Sequence, residues 1–219
     1  MIYLIATPIG NLEDVTLRAL RVLREVDFIL AEDTRKTGVL LKHYSIDQPM
    51  YSFHDHNEQS KIPRIIKELK SGKNAALVSS AGAPTISDPG YKLVRECKKQ
   101  NLHVTSLPGP SSVINALTLS AVAHDKFAFL GYFPRKAGDR RRLLEKTKEW
   151  GCAIVFFESP HRIFSCLSEV NKILGNREIT IAREMTKKFE EVLETTIEEA
   201  IEHFKDKKPK GELTIVIKG

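Results

Sequence analysis

The chain has 219 residues, 42% hydrophobic and 28% charged, the balance of an ordinary globular protein and enough for one large α/β domain or two small ones. Its formal charge of +6 is spread evenly, +3 in residues 1–120 and +3 in residues 121–219, which suits a polyanionic partner but supplies no basic tail. The composition excludes disorder and fibre. Residues 2–6 have no basic flank and are too short for a signal peptide, and no stretch approaches membrane-spanning length. Cys97, Cys152 and Cys166 lack CxxC spacing and read as free thiols of a cytoplasmic protein.

In chain order, residues 2–6 predict a first strand and residues 15–26 a helix, with Leu17, Leu20, Val22, Leu23 and Val26 at helical spacing. Residues 28–32 predict a strand and 34–44 a helix. Residues 62–69 predict a helix closed at Ser71-Gly72. A strand at 75–79, a helix at 91–100, a strand at 102–107 and a helix at 111–122 follow. Strands alternating with helices predict a mainly parallel, helix-covered sheet. A second unit opens with a strand at 127–133, a loop at 134–139 and a helix at 140–150. It continues with a strand at 152–157, a helix at 163–174 ended by Gly175, and strands at 178–183 and 191–195. Thr196-Ile197-Glu198-Glu199 is a capping box, and residues 213–218 predict a last strand. The closely spaced strands here predict a mixed sheet. The expected domains are 1–122 and 123–219.

The strand ends carry unusual loops. They are Thr7-Pro8-Ile9-Gly10-Asn11-Leu12, Glu32-Asp33-Thr34-Arg35, residues 80–90 with Gly82, Pro84, Pro89 and Gly90, Pro108-Gly109-Pro110-Ser111-Ser112, and Glu158-Ser159-Pro160-His161-Arg162. Glycine and proline fix sharp turns and let a ligand approach the backbone. Several such loops at the carboxyl edge of one sheet suit a preorganised small-molecule site. There is no GxxxxGK[ST] and no GxGxxG after the first strand, which excludes a P-loop nucleotidase and a dinucleotide enzyme.

Six blocks, in order, resemble the ribosomal RNA methyltransferases of the tetrapyrrole methylase superfamily. They are Thr7-Pro8-Ile9-Gly10-Asn11-Leu12, Ala31-Glu32-Asp33-Thr34-Arg35, Ser87-Asp88-Pro89-Gly90, Pro108-Gly109-Pro110-Ser111, Glu158-Ser159-Pro160-His161-Arg162 and Arg183-Glu184-Met185-Thr186-Lys187. The resemblance spans nearly the whole chain. It implies two α/β domains of the tetrapyrrole methylase type with S-adenosylmethionine (SAM) in the cleft between them, and a homodimer. It also implies SAM-dependent 2′-O-methylation of a cytidine in the decoding region of small-subunit (16S) ribosomal RNA, the assembled subunit being the expected substrate. By the same resemblance Pro8 and Gly10 lie near the cleft. Gly82, Ala83 and Ile86 match the Gly-Asp-Pro segment that cradles the cofactor; Ala83 replaces an acid, which counts against a tetrapyrrole substrate. Ser111, Ser112 and Val113 match the next cofactor loop, Phe157 and Glu158 a segment near the adenosine, and Glu212, Leu213 and Thr214 a strand touching the adenine.

Such a reaction needs the methyl carbon aligned with the incoming oxygen, and a base or cation beside a weakly nucleophilic hydroxyl. The candidates are His54, Asp33, Glu158, Glu184 and Lys187. No metal is required, and no His/Asp cluster has ligand spacing. Each candidate keeps a structural alternative. His54 falls in a polar loop, Asp33 or Thr34 can cap a helix, and Arg183, Glu184 and Lys187 can form a surface ion-pair network. For RNA contact the candidates are Arg35, His161 and Arg162, with Arg135, Lys136, Arg140, Arg141 and Arg142 as the densest basic cluster; a solvated helix face is the alternative there. Phosphate contacts of this kind position RNA without specifying sequence. The rival readings are a SAM enzyme of the same fold acting on a tetrapyrrole or a protein side chain, and an RNA-binding assembly factor without catalysis.

Overall fold

Short apolar runs alternate with amphipathic stretches in the first half, and the runs become strands of one parallel sheet. The computed structural model describes residues 1–123, 125–207 and 209–219. β1 (Ile2–Ile5), β2 (Phe28–Ala31), β3 (Met50–Ser52), β4 (Ala75–Val78) and β5 (Val104–Leu107) lie in the order β3-β2-β4-β1-β5, every neighbouring pair parallel. α1 (Leu17–Glu25) and α2 (Thr34–His43) cover one face, packing Val22, Leu23 and Leu41 with Ile5, Ile29, Ala76 and Val78. α3 (Glu58–Lys70) and α4 (Tyr91–Lys99) cover the other, packing Ile65, Leu69, Leu93 and Cys97 with Ile2, Phe28, Leu30 and Leu77. Both faces being buried, the central strands β2 and β4 are apolar throughout.

Local signals set the helix ends. Thr16 caps α1 by accepting from the Ala19 N–H at 3.1 Å. Gly72, at φ +95°, follows Ser71 at the end of α3. Two elements depart from expectation. α3 starts at Glu58, a turn before residue 62, and carries Pro63 inside it. Its N-cap residue Asn57 does not cap with its side chain; it gives its amide to Ser52 at 3.3 Å and to the His54 ring at 2.9 Å. β3, an edge strand of three residues, has no counterpart among the predicted elements.

The second sheet is mixed. β6 (Phe127–Tyr132), β7 (Ala153–Glu158), β8 (Glu178–Arg183), β9 (Glu191–Thr196) and β10 (Leu213–Ile217) are ordered β6-β7-β10-β8-β9, with only β6 and β7 parallel. α6 (Ala137–Thr147), α7 (Ile163–Leu174) and α8 (Ile197–Phe204) supply Leu144, Leu167, Val170 and Phe204 to the core over one face. α5 (Ser112–Leu119) packs on β8 and β10. The chain therefore divides into Met1–Ser111 and Ser112–Gly219, ahead of residue 122, because α5 belongs with the second sheet. The capping box at Thr196 and Glu199 is formed in both directions. α6 begins at residue 137, within the expected loop; Asp139 lies in its first turn, where a carboxylate complements the helix dipole, and pairs with Arg142. Among the described residues no helix is long and apolar enough to cross a membrane.

Candidate functional site

In a doubly wound sheet, ligands bind where neighbouring strands send their following segments to opposite faces. Here β4 leads to α4 on one face, while β1 and β2 on either side lead to α1 and α2 on the other. Crevices therefore open on both sides of the carboxyl end of β4. Its loop is tied to the loop after β1: Thr7 and Gly82 exchange backbone hydrogen bonds of 3.0 and 2.9 Å, and the Thr7 hydroxyl donates to the Ser79 carbonyl at 3.1 Å. The Ser79 hydroxyl donates to the Gly82 carbonyl at 2.9 Å. The loop after β5 closes on the same edge, where a Cβ on Gly109 would lie 2.9 Å from the Cβ of Ala6. Three loops form one rigid backbone surface.

The loop after β4 is strained. Gly82 and Gly90 have φ of +76° and +123°, and so, at +74° and +61°, do Thr85 and Ser87, which are not glycine. A β-branched residue in the left-handed region is a true outlier, and such strain collects at functional sites. Gly82 is buried, Ala83 half-buried and Ile86 exposed on this loop. Pro8 is half-buried and Gly10 exposed on the loop after β1, and Ser111 is half-buried at the end of the loop after β5.

Acidic groups gather at the same edge. The Glu32 carboxylate, after β2, accepts from the Ser80 N–H at 2.8 Å. Burial, and then the neighbouring charge of Glu32, push the Asp88 carboxyl up to about 7, against a hydrogen bond from Ser79. Asp33 next to Glu32 is occupied: it caps α2 by accepting from the N–H groups of Arg35 and Lys36, and it pairs with the Arg35 guanidinium at 3.2 Å. Those bonds from Arg35 hold its carboxyl below the usual range. His54 follows β3 at this edge, its Nδ1 buried and without a hydrogen-bond partner.

In the second unit, Glu158 ends β7 at 3% exposure. It accepts from the Ser159 N–H at 2.6 Å and pairs with Arg162 at 2.5 Å. Arg162 also reaches the Phe133 carbonyl at 3.5 Å, while its Nη1 is buried without a partner. Phe157 packs edge-on against Phe129 and Tyr132, with centroids 5.0 and 5.3 Å away, and lies opposite Thr214 of β10 as Glu158 lies opposite Leu213. Ser112 and Val113 open α5. Glu184 and Thr186, at φ +50° and +65°, make a second strained loop. Lys187 bridges Glu184 at 2.9 Å and Glu212 at 3.0 Å, and the Glu184 carboxylate also accepts from the Glu212 N–H at 2.9 Å. Burial opposes the charge on Lys187, but these two carboxylates win and raise its pKa.

The basic cluster is largely neutralised. Arg140 is only 17% exposed at its side chain and pairs with Glu169; Arg141 pairs with Glu145 at 2.9 Å and Arg142 with Asp139. Arg135, Lys136 and His161 are exposed. Glu32, Ser79 and Asp88 were not among the expected site residues. Their sequence signal was the pair of blocks Ala31–Arg35 and Ser87–Gly90, but only the β2-β4 adjacency brings the two together.

The family model described as Tetrapyrrole (Corrin/Porphyrin) Methylases matches residues 1–201. A protein of Thermotoga maritima named Ribosomal RNA small subunit methyltransferase I is 51% identical over 99% of this chain and 97% of its own. A Bacillus subtilis protein of the same name is 44% identical over 100% of this chain and 75% of its own. Among solved structures, a cobalt precorrin-4 methyltransferase superposes with a TM-score of 0.72 at 14% identity, over 99% of this chain and 94% of that one. A diphthine synthase does so with a TM-score of 0.73 at 13% identity, over 99% and 89%. At those identities the two structures speak for the fold alone.

Proposed function

The chain belongs to the tetrapyrrole methylase family, and on that premise we propose that it transfers the methyl group of SAM to a cytidine ribose 2′-oxygen in small-subunit (16S) ribosomal RNA. The observation that carries the substrate is the 51% identity, over nearly the full length of both chains, with a protein named for that RNA. The first unit fits SAM: Gly82 is held in a left-handed turn against Thr7, and Gly109 leaves no room for a side chain over Ala6, so backbone and not side chains forms this surface. Pro8, Gly82, Ala83, Ile86 and Ser111 on these loops would hold it. When bound, SAM supplies an electrophilic methyl carbon.

The protein's own residues then handle the proton. A carboxylate with a pKa of about 7 is ionised often enough at neutral pH to accept the hydroxyl proton and basic enough to draw it off. Asp88 is therefore the general base of this proposal. If His54 Nε2 accepts from the Asn57 amide, its ring proton lies on the buried, unpartnered Nδ1. Asp33, Glu158 and Glu184 are each bound to a cation and to backbone N–H groups, so they position loops and do not carry the proton. Lys187 holds Glu184 and Glu212 together. Arg135, Lys136 and His161 remain the RNA-facing candidates, and Arg35, Arg162, Arg140, Arg141 and Arg142 first have to leave carboxylate partners. The enzyme acts as a homodimer on the assembled small subunit, in the cytoplasm, a reading supported by its three free cysteines.

Methyl transfer from labelled SAM tests this, offered in parallel to unmodified small subunits and to a tetrapyrrole. Label in the RNA alone is expected. Label in the tetrapyrrole, or in neither, overturns it.

A further inference from the structure

The charge that is even along the sequence is uneven in space. α3 as far as Lys73, together with α4, carries nine lysines and arginines against three glutamates, a formal +6 equal to that of the entire chain. The first unit as a whole is +3, so its remaining residues total −3. The three glutamates offset only part of this face. Glu58 is buried and pairs with Lys92 at 2.8 Å, Glu68 pairs with Lys73 at 2.5 Å, and Glu96 accepts from the Gln100 amide at 3.0 Å. Arg95, Lys98 and Lys99 are exposed and have no ion-pair partner among the described residues.

Between the two helices runs a groove of about 570 Å³, with Ile62, Pro63 and Ile66 as an apolar floor and Lys92, Arg95 and Lys99, with Glu96 among them, along one wall. Positions 92, 95 and 99 share one face of α4 by helical spacing, opposite the buried Leu93 and Cys97. Each helix follows the carboxyl end of a strand, so the basic row starts near the edge that bears Asp88 and His54 and runs roughly 10 Å along α4. A line of cations beside an apolar floor complements a polymer of repeating phosphates and sugars. A second copy of the chain would face like charge with like.

We propose that the α3–α4 groove binds the phosphodiester backbone of ribosomal RNA away from the methylated nucleotide, contributing affinity and not site choice. The proposal rests on RNA being the substrate. Its test is the double variant R95A/K99A, titrated with a small-subunit RNA fragment from 50 to 500 mM KCl. Each lost phosphate contact on a single strand lowers the slope of log K against log salt by about 0.7, so the slope should fall by about 1.4. SAM affinity and the rate at saturating RNA should be unchanged. The single exposed variant K99E, scored for a fall in slope of about 0.7, guards against a folding defect in the double one. An unchanged slope in both variants overturns the proposal, and loss of binding to poly-glutamate alone overturns it in favour of an acidic protein partner. Methyl transfer by the wild type is scored separately on unmodified assembled small subunits: absence of transfer with a reduced slope refutes the reaction and keeps the groove.

Discussion

Replacing Asp88 with asparagine should make the protein more stable and less active. The folded environment raises the Asp88 carboxyl from 3.8 to about 7, chiefly by burial and then by Glu32. As pH rises from about 4 to about 7, the unfolded chain ionises this group while the folded chain keeps it protonated, so its contribution to stability is progressively lost and then stays lost. At 1.36 kcal/mol per unit the full loss is about 4 kcal/mol, and relaxation of a half-buried site reduces it to about 2–4 kcal/mol. Asparagine has the same shape and can still meet the Ser79 hydroxyl, but it never ionises. Urea denaturation of wild type and D88N across pH 4–8 should therefore give curves that start together and diverge, with D88N more stable by about 2–4 kcal/mol at pH 8. Methyl transfer by D88N should fall by roughly 10²–10⁴, with SAM affinity unchanged by calorimetry, and the acid limb of the wild-type rate profile near pH 7 should disappear. A variant no more stable than wild type at pH 8 refutes the assigned environment. An active variant that keeps the acid limb refutes the assigned role.

Other substitutions probe the frame of the site. In G90A a Cβ would lie 2.5 Å from Leu77 Cδ2 at φ +123°, so backbone strain and overpacking together should cost about 2–5 kcal/mol in urea denaturation. R162A leaves Glu158 buried without its cation and should destabilise the second unit by about 3–5 kcal/mol, measured the same way. G82V places a β-branched residue at φ +76° in the turn tied to Thr7 and should weaken SAM binding at least tenfold by calorimetry. T196A removes half of the capping box of α8 and should cost about 1 kcal/mol.

Much of this architecture was legible in residue pattern, because apolar runs at 2–5, 28–31 and 75–78 bounded by turn residues leave few alternatives to buried parallel strands. β3 escaped because Met50, Tyr51 and Ser52 form a half-polar edge strand held mainly by backbone pairing to β2. The start of α3 was hidden by Pro63, which reads as a first-turn residue. The acidic pair was invisible because Glu32 and Asp88 lie far apart in sequence and meet only through strand order. Arg140 read as part of a basic cluster until the fold brought Glu169, 29 positions away, onto its guanidinium. Even halves of net charge concealed the basic face, since the +6 of α3 and α4 is offset by a net −2 in residues 1–57 and by Asp88 in the loop between the helices.

The most direct test of the reaction is the chemical position of the methyl group. Small subunits labelled by the purified protein would be digested to nucleosides and resolved by mass spectrometry, with alkaline hydrolysis as a second readout because a 2′-O-methyl ribose blocks cleavage of the adjoining phosphodiester. The proposed chemistry predicts one labelled nucleoside, a cytidine with the label on its sugar and an alkali-resistant dinucleotide. Label on a base, or on no nucleoside at all, contradicts it.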